Sequence, residues 1–190
     1  DYLRERGFGF LLVTNTSRMS QAQIQDKLTG LGYEIDLNEI FPVSLAASEY
    51  LSNRFGAARC FLIGDPSLEQ LLTDAGHSVL RREAPVDAVV IGQRLWPDFG
   101  EIDIARRLVN DGAEPIALHR DPTWPDGNIT RIGLGPIVAA LESVISQPVT
   151  LIGKPQRAFF DAALARTGFE RSQTVMIGDS LSSDIAGAID

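Results

Sequence analysis

Sulfur and imidazole are scarce in this chain of 190 residues, which has one cysteine, two methionines and two histidines. A lone thiol, Cys60, closes no intrachain disulfide, so the core must hold the fold, and a reducing compartment, the cytoplasm, is expected. His77 and His119 stand far apart with no partners at ligand spacing, which argues against zinc. No apolar run approaches the ~20 residues of a membrane-spanning helix, and no signal peptide is visible, so no membrane partner is expected. Basic runs are missing too. The 17 Lys and Arg are scattered among 25 Asp and Glu, giving a formal charge of -8. Nucleic acid, whose phosphates demand a basic surface, is therefore not an expected partner, whereas a small anion in a local pocket is compatible.

Familiar catalytic signatures are also lacking. The Gly153-Lys154 pair is no P-loop, because Pro148 and Pro155 occupy the places of its Gly and its Ser or Thr. Gly133-Leu134-Gly135 opens like a dinucleotide loop, but Val138 takes the place of the third glycine. There is no Gly-x-Ser-x-Gly elbow, and Cys60 sits inside an apolar run, as core and not as nucleophile.

What is present is an alternation of short apolar runs with amphipathic stretches, the pattern of an α/β protein with a largely parallel sheet. The expected strands are Phe8–Val13, Cys60–Ile63, Ala88–Ile91, Pro115–Leu118, Val149–Ile152 and Thr174–Ile177; their unbroken apolarity suits strands covered on both faces. Helices are expected from Ser20 to Leu28, Ser44 to Leu51, Ser67 to Leu72, Ile102 to Val109, Ile137 to Ile145 and Pro155 to Arg166. The last has Pro at its first position and Gly168 past its end. Trp96–Gly100 and Asp121–Gly135, rich in Pro, Gly and Asp, read as loops. Boundaries near Gly56 and Gln147 would leave a middle unit, 57–148, inserted between two parts, 1–56 and 149–190, of one sheet. Asp1 is not Met and Asp190 falls inside a helix-like stretch, so both ends read as cuts in a longer protein.

Three polar clusters follow apolar runs, where open α/β sheets place their ligands. Thr14-Asn15-Thr16-Ser17 offers a hydroxyl and successive backbone amides, as a phosphate cradle or as an ordinary capping turn. Lys154 can neutralise a phosphoryl group or hold a carboxylate, or simply be solvated. Asp179 and Asp184, five positions apart in Gly178-Asp-Ser-Leu-Ser-Ser-Asp184, suit Mg²⁺, a hard cation that takes oxygen ligands and keeps several waters. Asp184 can equally cap a helix starting at Ile185.

In this order the clusters resemble motifs two, three and four of the haloacid dehalogenase (HAD) superfamily: Leu11-Leu-Val-Thr-Asn-Thr-Ser17, Gly153-Lys-Pro155 and Met176-Ile-Gly-Asp-Ser-Leu-Ser-Ser-Asp-Ile185. The long gap between the first two resembles the NagD-like branch, type IIA, whose α/β cap domain is inserted there. Asn38–Phe41, Asp111–Arg120 and Gly133–Glu142 look nearest to the phospholysine phosphohistidine inorganic pyrophosphate phosphatase-like group. The resemblance implies a Rossmann-like core at 1–56 and 149–190 with a cap at 57–148. It implies a Mg²⁺-dependent phosphatase that hydrolyses a small phosphorylated metabolite through an aspartyl-phosphate intermediate.

Carried over, Thr14 and the Asn15 amide would bind the phosphoryl group and Lys154 would steady its charge. Asp179 would ligate Mg²⁺, with Asp184 supporting the metal or Lys154. The first motif, Asp-x-Asp, which would supply the nucleophile, is absent, so the chain alone is expected to be inactive. Arg94, His119, Arg120 and Asp121 would meet the substrate from the cap, and a homodimer through the cap would fit. Arg94 departs from the Asp that many NagD-like relatives carry there, and His119 from a common Asn. Two other readings stay open at this point: a catalytically silent HAD-fold binding protein, and a receiver-type signalling domain. The order Thr14, Lys154, Asp179 argues against the second, because receivers place their acidic residues first.

Overall fold

A computed structural model describes residues 2–95 and 97–189. Asp1 and Asp190, on which the expectation of cut ends rests, lie outside the described residues, as does Trp96. The chain runs through a short helix α1 (Tyr2–Glu5), then β1 (Leu12–Thr14), α2 (Gln21–Gly30), β2 (Ile40–Pro42) and α3 (Val43–Phe55). β1 and β2 pair in parallel, Leu12 opposite Ile40 and Thr14 opposite Pro42. The crossing helix α2 starts where Ser20 and Gln23 satisfy each other's backbone amides at 3.2 and 2.8 Å, a reciprocal cap that fixes its first turn.

The larger sheet is built next. β3 (Arg59–Ile63), α4 (Pro66–Asp74), β4 (Ser78–Leu80), β5 (Ala88–Ile91), α5 (Phe99–Asn110) and β6 (Glu114–Ala117) are followed by a hairpin, β7 (Thr123–Asp126) and β8 (Ile129–Ile132). Then come α6 (Gly135–Glu142), β9 (Thr150–Leu151), α7 (Arg157–Thr167) and α8 (Ala186–Ile189). The strand order is β4-β3-β5-β6-β9, and every pairing is parallel. Both faces are covered: all four residues of β5 are fully buried, with Leu68 and Leu72 of α4, Leu108 and Val109 of α5, and Val138 and Leu141 of α6 in the same core. Phe41 and Phe159 stack at 5.2 Å between ring centres and join β2 to α7. The fold is thus α/β with a parallel central sheet, as expected. None of its helices, among the described residues, is long and apolar enough to cross a membrane.

Several local expectations are corrected. The boundary expected at 148/149 is not a break in the sheet, because β9 bonds to β6, Ile116 opposite Thr150 and Ala117 opposite Leu151. A parallel strand takes the edge its crossover helix can reach, and α6 delivers β9 there. Among the described residues, then, no ladder joins 149–190 to 1–56. Thr174–Ile177, expected as a strand, forms no ladder among the described residues, and Val175 and Ile177 are 81% and 85% exposed. Pro155 precedes α7 and does not open it, since the helix begins at Arg157 after the N-cap Gln156; Gly168 does close it, at φ 69°. The expected loop Asp121–Gly135 holds the β7–β8 hairpin, turned on Gly127-Asn128 with Gly127 at φ 60°. The loop expected at Trp96–Gly100 is cut short, because Phe99 and Gly100 already belong to α5.

Candidate active site

Parallel strands bring their C-terminal ends to one edge. The edge of the larger sheet, at Gly92, Leu118 and Gly153, faces the turn that follows β1, and side chains of that turn meet its backbone, Ser17 Oγ at the Gln93 N–H and Asn15 at Lys154. A Cβ on Gly153 would stand 2.5 Å from Asn15 Oδ1, 2.6 Å from Leu118 O and 2.8 Å from Val43 Cγ2. Only glycine permits that approach.

Asn15 uses it fully. Its Oδ1 accepts the Lys154 N–H at 2.9 Å, while its Nδ2 donates to Lys154 O at 3.1 Å and to Asp121 Oδ2 at 3.2 Å. The two opposed Lys154 backbone groups leave one orientation of the amide. Thr14 Oγ1 accepts the Thr16 N–H at 3.1 Å, which shapes the turn and leaves the hydroxyl proton free to donate.

The Lys154 amine lies 2.6 Å from Asp184 Oδ1 and donates to Val13 O at 3.4 Å; the two paired side chains are 10% and 5% exposed. An ammonium has three donors, so one stays available. Asp184 is not a simple helix cap. It sits in a π-helical turn, Leu181–Ile185, capped by Ser180, and its Oδ2 accepts the Ser180 N–H at 3.1 Å. Gly178 lets that carboxylate in, since a Cβ there would collide with Asp184 Oδ2. Asp179, between Gly178 and Ser180, is exposed, and its carboxylate has no hydrogen-bond partner among the described residues. The three motif regions, distant in sequence, thus meet.

Of the four remaining expected residues, the structure gathers two. His119 is buried, its Nδ1 3.0 Å from Asp121 Oδ2, and Asp121 reaches Asn15. Burial pushes the Asp121 carboxyl up, but the His119 hydrogen bond and charge, Asn15 and the Lys154 charge outweigh it and hold the group below the usual range. Arg120 and Arg94 are drawn elsewhere. Arg120 makes a bidentate pair with Glu142 of α6. Arg94 pairs with Glu101 of α5 at a separate cavity of about 420 Å³, lined also by Arg81 and Glu69. The Cys60 thiol is pushed up to about 12, by burial first and Asp87 second, as suits a core residue.

Sequence reasoning missed Arg18, Gln93 and Trp124. The Arg18 guanidinium carbon lies 4.6 Å from the centre of the Trp124 ring, and the Gln93 N–H donates to Ser17 Oγ at 2.9 Å. Only Ser17 had a sequence signal, as the end of the first cluster. Arg18 and Gln93 lie in connecting segments and Trp124 on β7, so that Arg18 meets Trp124 only through the hairpin.

Two family profiles match this chain: "Haloacid dehalogenase-like hydrolase" over residues 1–78 and a HAD-hydrolase-like profile over 151–190. The acid sugar phosphatase of Staphylococcus epidermidis is 30% identical over 189 residues, covering 100% of this chain and 73% of that protein. The chain belongs to the haloacid dehalogenase-like hydrolases. It falls in their NagD-like, type IIA phosphatase branch. Bovine haloacid dehalogenase-like hydrolase domain-containing protein 2 is 35% identical over 179 residues, 93% of this chain and 65% of that one. Among solved structures, a thermostable NPPase from Geobacillus stearothermophilus superposes with TM-score 0.92 at 27% identity, over 99% of this chain and 75% of its own. A glycerol phosphate phosphatase from Mycobacterium tuberculosis, in complex with magnesium, gives 0.88 at 28%, over 96% and 55%.

For such a hydrolase the donor set can be tested against a metal. No three His, Cys, Asp or Glu side chains converge among the described residues. Both Asp184 oxygens are engaged, by Lys154 and Ser180, which leaves the Asp179 carboxylate free. One free carboxylate with room for water fits one side of a Mg²⁺ site, since Mg²⁺ is held by one or two carboxylates and keeps its waters.

Proposed function

We propose that this chain supplies the phosphoryl-binding and charge-neutralising part of a Mg²⁺-dependent phosphohydrolase that acts on a small phosphorylated metabolite. The observation that carries the reading is the buried Lys154–Asp184 pair, 2.6 Å apart beside the β1 turn. A buried pair is a poor source of stability, because desolvation costs about what the attraction returns. It is a good way to hold a cation at a fixed point, and phosphoryl transfer depends on fixed charge more than on acid–base power.

In this reading the Thr14 hydroxyl and the Asn15 backbone N–H hold phosphoryl oxygens, and the third Lys154 donor neutralises the charge that spreads over them. Asp184 positions that amine. Asn15 locks the Lys154 backbone, so a one-ångström error in the amine is suppressed at its source. Asp179 would ligate Mg²⁺, which when bound adds charge neutralisation at the phosphoryl group. The attacking carboxylate comes from a segment outside these residues. It bonds to phosphorus as the ester P–O bond breaks and the leaving oxygen gains a proton; water then cleaves the acyl phosphate. Residues 57–148 act as the cap, its sheet continued past residue 148 by β9, and from it His119 and Asp121 face the leaving group. A homodimer through the cap, in the cytoplasm, completes the proposal; Phe99 and Ile132, 84% and 69% exposed, are apolar surface for it.

The test is turnover of p-nitrophenyl phosphate by the full-length protein with Mg²⁺. Asp179→Asn should lower kcat/KM by on the order of 10²-fold or more, and excess chelator should abolish activity. Undiminished turnover in that variant removes Asp179 from the metal site. No turnover by the intact protein, with phosphate still bound, favours the silent binding protein.

A further inference from the structure

Where two neighbouring parallel strands send their crossover helices in opposite directions, a crevice opens outside the strand ends, and open α/β sheets take ligands there. The larger sheet has such a point between β3 and β5: α4 carries the chain from β3 to β4 on one side, and α5 carries it from β5 to β6 on the other. The cavity of about 420 Å³ lies at this point. It is lined by Gly64 after β3, Pro66 and Glu69 of α4, Arg81 after β4, Arg94 after β5 and Glu101 of α5. Its volume falls within the range of about 300–1,000 Å³ usual for small-molecule sites. None of these residues belongs to the turn after β1, to the β7–β8 hairpin or to the Lys154–Asp184 pair.

Two of the charged groups are committed. Arg81 is held as a fixed wall: its Nε and Nη2 both donate to Glu69 Oε2, at 2.9 and 2.7 Å, and its Nη1 donates to Gly64 O at 3.0 Å and Leu62 O at 3.4 Å. Glu101 is used up as well, since Oε1 takes Arg94 and Oε2 accepts the Asp98 N–H at 3.2 Å. The other two keep capacity among the described residues. The Arg94 side chain donates to Glu101 alone, so most of its five N–H groups stay available. Glu69 Oε1 accepts no hydrogen bond, because Arg81 engages only Oε2. Both side chains are within reach of solvent, at 36% and 39% exposed.

A guanidinium fork takes a carboxylate on two parallel bonds, and an unpaired carboxylate oxygen takes an ammonium. Two arginines and two glutamates line the cavity, so their charges cancel. A phosphate dianion would face Glu69 and Glu101 as well as the arginines, and a simple amine would face Arg94. A ligand that carries both charges meets both needs and adds no net charge. We infer that this cavity is a second binding site, for a free α-amino acid, with its carboxylate on Arg94 and its ammonium on Glu69 Oε1. Pro66 is the apolar member of the lining, so a small side chain suits the space that remains.

The experiment titrates the full-length protein, by calorimetry and by amide NMR shifts, with L-alanine, L-lactate and L-alaninamide. Lactate has a hydroxyl in place of the ammonium, and alaninamide lacks the carboxylate. L-Alanine should bind at least about tenfold more tightly than either, since a site built for a polar group rejects the analogue without it, and it should shift the amides of Gly64 and Glu101. Glu69→Gln should erase the preference over lactate, and Arg94→Met the preference over alaninamide, while Glu69→Gln protein binds inorganic phosphate as the wild type does. If one variant fails to fold, the other decides. No binding of L-alanine, equal affinity for the three, shifts confined to the surroundings of Lys154, or a preference that a folded variant keeps overturns the site. Loss of phosphate affinity in Glu69→Gln would make the cavity part of the phosphoryl site and overturns it too. None of these readouts depends on turnover, so the phosphatase reading stands or falls separately.

Discussion

Consider removing Asp184. Its partner Lys154 would keep its ammonium in a place where the side chain is 10% exposed, with Val13 O at 3.4 Å as the remaining partner. An uncompensated buried charge of this kind costs about 3–5 kcal/mol. Against a total stability of about 5–15 kcal/mol that is a large share, and for a chain of this size it lowers Tm by roughly 6–20 °C. Lys154→Met should cost a similar amount, because Asp184 would then keep only the Ser180 N–H. The double variant, Lys154→Met with Asp184→Leu, leaves no orphaned charge and should lose about 1 kcal/mol or less. Urea unfolding of the wild type, the two single variants and the double variant, at one pH and ionic strength, closes the cycle. Single losses below about 1 kcal/mol that simply add would mean that the pair behaves as a surface bridge, and the case for a fixed internal cation would fall. A stable double variant of the intact enzyme without turnover would show the pair kept for placement of charge.

Two further outcomes follow from the same region. Gly153→Ala forces a methyl into Asn15, Leu118 and Val43 and should destabilise by about 1–3 kcal/mol in thermal melts, with no gain from the added helix-former; an unchanged Tm would show that the edge is looser than the distances imply. Asp121 has a carboxyl held below its ordinary value, so its ionised form contributes stability that is present above about pH 4 and lost as pH falls through the lowered value. The stability difference between wild type and Asp121→Asn, followed by urea unfolding from pH 6 to pH 3, should therefore be level above about pH 4 and shrink below it, and a difference that grows on acidification would reverse the assigned sign.

The sequence made the larger sheet legible because its strands are buried on both faces, where apolarity alone identifies a strand. Ala88–Ile91 matches β5 residue for residue. That signal misleads at Thr174–Ile177, where four suitable residues form no ladder among the described residues, because a strand needs a hydrogen-bonding neighbour as well as a composition. The hairpin was hidden for the opposite reason. Trp124, Pro125 and Asp126 read as turn residues, and the signal that should have decided, Gly127-Asn128 between two short alternating runs, lay among other Gly and Asp.

At the site, Thr14, Lys154 and Asp184 stood out as polar groups after apolar runs. The side-chain role of Asn15, which joins three segments, had no local trace. Arg94 and Arg120 show the limit from the other side: a long cation finds the nearest carboxylate, here Glu101 and Glu142, and spacing along the chain does not say which.

The amide of Asn15 has a consequence for ageing. Its donor end faces Lys154 O at 3.1 Å and Asp121 Oδ2 at 3.2 Å, so the join depends on the polarity of a single atom. Deamidation would replace that nitrogen with oxygen at almost no change in shape. Two lone-pair-bearing groups and a second negative charge would then face each other where attraction had been, and the hairpin side would be pushed from the β1 turn. Damage of one dalton would separate the segments that the fold brings together, with the core on either side left intact.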